Sequence, residues 1–185
     1  MAAKQSDVSK NNLNLATFAG GCFWCMEPVF KIYGVESAIV GYSGGNTPNP
    51  TYEQVGTGQG AHKEAIQLGF DPKQTPYSTL LKIFFQNIDP TDPNGQFADR
   101  GAHYQTAIFY HDENQKREAE RALAELADSG KFEKPLAVKI LPYKNFYPAE
   151  DYHQEYYKKN PARYQAYKTG SGRDEFKRKY WQEPH

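Results

Sequence analysis

Residues 16–30 read A-T-F-A-G-G-C-F-W-C-M-E-P-V-F, and their interpretation decides the fold. The apolar run from Leu15 to Ala19 has the composition of a short strand. Gly20 and Gly21 then turn the chain, and a helix begins at or just after Cys22. A strand running through a glycine turn into a helix is the first unit of an interleaved α and β order. It also puts Cys22 near a helix N-terminus, where free N–H groups and the macrodipole favour a thiolate.

Outward from this turn the interleaving continues. Residues 35–42, 64–70, 106–110 and 136–141 are predicted strands, with 64–70 alternating most clearly. A helix is predicted over 76–88, with Thr75 as N-cap and Pro76 at the first position. Tyr77, Leu80, Leu81, Phe84, Phe85 and Ile88 share its inner face, and Asp89, Pro90, Asp92 and Pro93 end it. A second helix over 113–127 is capped by Asp112 and buries Ala119, Ala122, Leu123 and Leu126. Its wet side offers Glu113–Arg117 and Lys116–Glu120 as i,i+4 pairs. A third helix is expected over 149–159, and irregular loops over 43–50 and 56–60. Together these predict an α+β fold, a single-domain mixed sheet with packed helices. Residues 1–12 are expected to be a flexible N-terminal tail, 13–168 the catalytic domain, and 169–185 a polar, basic C-terminal tail on the surface.

The chain has 185 residues, enough for one domain, and 38% are hydrophobic, enough for a core. Lys plus Arg and Asp plus Glu each number 22, so charge points to no nucleic-acid partner. No apolar run approaches a membrane span, and the polar start lacks a signal-peptide core, so a cytoplasmic protein is expected; it is taken as a monomer. Only two cysteines occur, Cys22 and Cys25. Two cysteines cannot staple a chain this long, so a C-x-x-C pair in a reducing compartment reads as redox-active or metal-binding. His62, His103, His111, His153 and His185 show no zinc-type spacing, which argues against a metal. No cofactor is expected either, because G-T-G-Q-G at 56–60 precedes a strand rather than a helix. A thioredoxin-like disulfide oxidoreductase and an aromatic-rich peptide-binding module remain as alternatives. Phe23 and Trp24, however, stand between the two thiols like the walls of a pocket for a small apolar group.

Six motifs then carry a resemblance. G-G-C-F-W at 20–24, G-Y-S-G-G at 41–45, P-T-Y-E-Q-V at 50–55 and H-K-E-A at 62–65 are followed by G-Q-F-A-D-R-G at 95–101 and A-E-D-Y-H-Q-E-Y at 149–156. In this order, over about residues 13–172, they resemble the A-type peptide methionine sulfoxide reductases. The resemblance implies a ferredoxin-like α/β sandwich that reduces methionine S-sulfoxide, free or in proteins, with thioredoxin or another thiol as reductant. It also implies Tyr52 and Tyr156 as hydroxyl donors to the sulfoxide oxygen and Asp99 as an orienting carboxylate. Tyr104 is a further donor, although its local H-Y-Q-T departs from the family's commoner Q-Y-R-S.

A thiolate can attack a sulfoxide sulfur once the oxygen receives a proton or strong hydrogen bonds. Cys22 is the expected nucleophile. Glu64 is the expected acid: it shares strand parity with Ile66, Leu68 and Phe70, and a buried carboxyl holds its proton near neutrality. Attack leaves a sulfenic acid on Cys22. Cys25, three residues on, lies within disulfide reach in a helical turn. Many family members keep a resolving cysteine in a Gly-rich tail, but T-G-S-G at 169–172 has none. Either Cys25 or an external thiol must therefore resolve Cys22.

Overall fold

The computed structural model describes residues 12–182; all but Asn12 of the expected N-terminal tail lies outside them. β1 (Asn14–Ala19) runs through the Gly20-Gly21 turn into α1 (Phe23–Val29), and β2 (Val35–Ser43) follows. The short α2 (Tyr52–Gly56) leads to β3 (Lys63–Phe70), α3 (Tyr77–Gln86) and a small hairpin of β4 (Gly95–Gln96) and β5 (Asp99–Arg100). β6 (Ala107–Tyr110), α4 (Glu113–Asp128), β7 (Lys139–Pro142) and β8 (Phe146–Pro148) come next. The chain closes with α5 (Tyr156–Lys159), α6 (Pro161–Ser171) and α7 (Arg173–Trp181).

Six strands form one sheet in the order β7-β6-β1-β3-β2-β8. Every pairing is antiparallel except β6 with β7, which is parallel. The order β6-β1-β3-β2, with α1 and α3 as the crossovers, is the β-α-β-β-α-β unit of ferredoxin-like folds. β7 and β8 extend that unit at its two edges. The expected α+β fold is the one found.

The central strands explain the core. β3 has a partner on both sides, and Ile66, Leu68 and Phe70 are all buried in the main cluster beneath α1 and α3. Phe18 of β1 anchors that layer, stacked on Phe30 at 5.6 Å, Phe84 at 5.0 Å and Tyr77 at 6.0 Å between ring centroids. Each fully buried aromatic contributes roughly 1.5–3 kcal/mol over an exposed one. No helix among the described residues is long and apolar enough to cross a membrane.

Several local expectations need correction. Thr75 does not cap α3: its hydroxyl donates to the Tyr33 carbonyl, and Pro76 (φ −67°, ψ 153°) stands extended as the N-cap before a helix that begins at Tyr77. Asp112 does cap α4, accepting from the Gln115 N–H at 2.8 Å. On that helix Lys116 lies over the Tyr110 ring and Arg117 bonds Asn114, while Arg121 pairs with Glu125 at 3.8 Å. The predicted strand at 136–141 pairs as β7 only from Lys139. The helix expected over 149–159 is broken at Glu155, whose φ of +50° admits no helix. A short 3₁₀ turn (Asp151–His153) precedes the break and α5 follows it. Residues 169–182, expected as a surface tail, hold the end of α6 and all of α7, and Arg173 is buried.

Candidate active site

Four segments bring the expected residues to one end of the sheet. The β1–α1 turn delivers Cys22 as the N-cap of α1, with Phe23, Trp24 and Cys25 in its first turn. β3 begins beside it: Glu64 lies opposite Tyr42 of β2 and shares the core face of Ile66. Thr51 caps α2 with a full capping box, accepting from the Gln54 N–H at 3.3 Å while the Gln54 side chain accepts from the Thr51 N–H at 3.0 Å. That box sets Tyr52 at the first helical position. The β4–β5 hairpin and the 3₁₀ turn after it (Ala102–Tyr104) supply Asp99 and Tyr104.

Cys22 is 5% exposed and its thiol is hydrogen-bonded to that of Cys25. Burial pushes the Cys22 thiol well above its ordinary range, and the Cys25 contact and the Glu64 charge add to this while Arg173 opposes it. The hydrogen bond from Cys22 pulls Cys25 down, against its own burial. Burial thus opposes a thiolate on Cys22 in the resting pair. This corrects the expectation of a thiolate held by the helix N-terminus. Cys22 makes no side-chain capping bond, and α1 is only seven residues long, so its end offers the sulfur little.

Glu64 is 1% exposed, and its Oε2 has no hydrogen-bond partner among the described residues. Burial raises its pKa well above the carboxylate range, the Asp99 charge raises it further, and Arg173 acts the other way. The result is a carboxyl that holds its proton to higher pH than an exposed glutamate and keeps one oxygen free. Tyr52 and Tyr104 are hydrogen-bonded to each other through their hydroxyls, so one O–H of the pair is left to donate outward. Burial, then the charges of Glu64 and Cys22, push Tyr52 up to about 12, so it stays a donor. Burial and the Glu64 charge likewise raise Tyr104.

Trp24 is held rather than loose. Its ring stacks on Tyr156 at 3.9 Å and 7°, and Tyr167 meets it edge-on at 6.0 Å. Its Nε1 donates to His153 Nδ1 at 3.0 Å. An indole can only donate, so Nδ1 accepts and the proton of the neutral imidazole sits on Nε2. Burial lowers the pKa of His153, in keeping with that form. Phe23 is 1% exposed and packs on Tyr42 and His153, at 5.9 and 5.1 Å between centroids. Tyr156 clusters with Cys25 and Tyr164, on the Cys25 side of the pair.

Some members of the site were not read from the sequence. His153 and Glu150 lay inside a quoted motif without a role, yet Glu150 ties Tyr42 Oη at 2.9 Å to the Tyr52 N–H at 3.2 Å. Glu27 is buried and accepts from the Glu155 N–H at 2.8 Å, which fixes the left-handed residue ahead of Tyr156. Tyr167 donates to Asp99 Oδ2. Nothing local distinguishes it among 14 tyrosines. An apolar groove of about 380 Å³ between α3, α4 and Trp181 shares no residue with this cluster.

Comparison with known proteins gives the chain's relatives. Residues 14–185 match the profile of the family described as Peptide methionine sulfoxide reductase. Peptide methionine sulfoxide reductase MsrA 2 of Staphylococcus aureus (strain MW2) is 56% identical over 167 residues, covering 90% of this chain and 94% of that protein. The crystal structure of reduced Mxr1 from Saccharomyces cerevisiae superimposes with a TM-score of 0.75 at 33% identity, covering 81% of this chain and 87% of that one. Mxr1 in complex with Trx2 aligns with a TM-score of 0.56 at 26% identity, covering 78% and 84%.

Proposed function

The chain belongs to the peptide methionine sulfoxide reductase family, and we propose that Cys22 performs its reaction with Glu64 as the proton donor. It reduces methionine sulfoxide to methionine. The observation that best supports these roles is a buried thiol beside a buried carboxyl that burial keeps protonated and whose Oε2 is free.

In this mechanism the sulfoxide oxygen takes the space between Glu64 and the Tyr52–Tyr104 pair, and the methyl group rests against Phe23 and Trp24. Asp99 fixes Tyr167 against the far edge of Trp24. As Cys22 loses its proton and its sulfur attacks the sulfoxide sulfur, Glu64 gives its proton to the oxygen. The hydroxyl so formed passes to the Cys22 sulfur as the S–O bond and the new S–S bond break. Methionine leaves as the thioether, and the proton given up by Cys22 returns to the Glu64 carboxylate, which leaves a sulfenic acid on Cys22. Proton donation at the moment of attack matters because a thiolate cannot expel oxide. Tyr156 acts mainly through the rigidity it gives Trp24.

Cys25 then attacks the sulfenic sulfur. A Cys22–Cys25 disulfide forms and one water is released. A dithiol donor returns both thiols by exchange. The complex of the similar Mxr1 with Trx2 supports a thioredoxin in that part. Family membership also supports the S epimer as substrate, and a lone C-x-x-C pair used as a redox couple suits the cytoplasm.

A stoichiometric assay tests the scheme. Without added reductant, each reduced enzyme should release one methionine and lose both free thiols. Methionine release with a retained, trappable sulfenic acid would remove Cys25 from the scheme, and no release would remove Cys22.

A further inference from the structure

An anion must form on a cysteine pair that is buried and that receives no capping N–H from its own helix. Arg173, the first residue of α7, lies directly behind that pair. Its side chain is 6% exposed. Nη2 donates to the Gly20 carbonyl at 2.8 Å and Nη1 to the Asn87 carbonyl at 2.8 Å. Nη1 also touches Met26 Sδ at 3.7 Å, and the guanidinium lies over the Phe97 ring at 4.8 Å. Among the described residues every partner is uncharged, and the buried Nε has none.

We infer that Arg173 is the positioning cation of this reaction, stabilising the thiolate formed on the Cys22–Cys25 pair from the side of the C-terminal helix. A desolvated guanidinium without a carboxylate is costly unless an anion answers it. The groups around the pair leave the cysteines as that anion. Glu64 of β3 is kept neutral by burial; the Asp99 carboxylate of β5 accepts from Tyr167; Lys168 of α6 pairs with Asp174 at 3.3 Å. The tyrosines facing the pair, Tyr52, Tyr104, Tyr164 and Tyr167, are all raised first by burial and stay neutral. Arg173 lowers both cysteines.

Gly21 shows how closely the cation is fitted. Its φ is +82°, and a Cβ there would stand 2.7 Å from Arg173 Nη2 and 2.6 Å from Gln96 Cβ. The turn glycine thus provides room for the guanidinium, a requirement separate from turning the chain. A polar C-terminal segment becomes part of the active site by this contact.

The inference uses the reading of Cys22 as nucleophile, so its test separates the two. In a full-length Cys25→Ser background, Cys22 is the sole thiol, and its alkylation by iodoacetamide is followed against pH. Arg173→Gln keeps an amide able to bond the Gly20 carbonyl but removes the charge, whereas Arg173→Lys keeps the charge. The midpoint should rise by about one unit or more in Arg173→Gln, the size expected for losing a nearby opposite charge, which is about tenfold less thiolate below the midpoint. It should move much less in Arg173→Lys, and methionine release by Arg173→Gln in the otherwise wild-type chain should recover as pH rises. An unchanged midpoint in Arg173→Gln, or equal shifts in Arg173→Gln and Arg173→Lys, would overturn the inference and leave a structural clamp. If the charge effect appears but no variant with Cys22 reduces sulfoxide, the inference about Arg173 stands and the assigned nucleophile falls.

Discussion

Replacing Glu64 by Gln tests whether the acid is protonated in the folded enzyme, without relying on catalysis. A glutamate in the unfolded chain ionises near pH ~4.3. In the fold, burial moves Glu64 well above that. Between the two values the folded state keeps a proton that the unfolded state has lost, so stability falls as pH rises. The slope is about 1.4 kcal/mol per pH unit. It begins at the unfolded value and ends at the folded one, so the stabilisation is full below ~4.3 and lost as pH climbs through the folded pKa. Glutamine does not titrate. The stability of Glu64→Gln minus that of wild type should therefore rise with pH above ~4.3, by at most about 1.4 kcal/mol per pH unit, and level off once the folded pKa is passed. Urea unfolding of both proteins, kept reduced, gives this difference directly, because every other ionisable group cancels. The same variant should lose on the order of 10²–10⁴ in the rate of methionine release, the usual loss for a general acid. Parallel stability curves above pH 5 would show an ordinary ionised carboxylate at this position, and the assigned proton donor would fall with them.

Cys25→Ser should still release one methionine per enzyme, then stall with thioredoxin while turning over with a small thiol; steady turnover with thioredoxin would refute Cys25 as the resolving thiol. A methyl sulfoxide should outpace its isopropyl analogue by more than size alone explains, because the clamped Trp24 ring cannot yield. Overpacking of about 1–3 kcal/mol corresponds to roughly 5- to 150-fold in kcat/KM, and equal rates would remove Phe23 and Trp24 as the methyl pocket. Glu27→Ala leaves the Glu155 N–H without its acceptor and should cost about 1–3 kcal/mol in urea unfolding. It should also raise KM more than it lowers kcat, since α5 then no longer sets Tyr156 against Trp24.

Elements were legible where local sequence and burial agree. The alternation of 64–70 is a two-sided strand, and its parity put Glu64 on the core face because side chains alternate along any strand. The stripe Tyr77, Leu80, Leu81, Phe84 and Phe85 is buried as its spacing requires. Elements were misread where a distant partner overrides local preference. Thr75 stands one residue ahead of the N-cap Pro76, where its hydroxyl donates to the Tyr33 carbonyl instead of serving α3. Glu155 leaves the helical region because Glu27, far away in sequence, binds its N–H.

The sequence by itself determined the position of the C-x-x-C pair at the β1–α1 turn, the core face of Glu64 and the family, since each rests on residue type, parity or motif order. Tertiary structure alone decided the burial of the cysteines and the place of residues 169–182. A helix N-terminus argued for a resting thiolate, but Cys22 is buried, and desolvation of the sulfur raises its pKa. Arg173, in a stretch that reads as surface, sits against the Gly20-Gly21 turn because α7 folds back over the site. Charge and burial depend on everything that surrounds a group in space, and local sequence does not contain that environment.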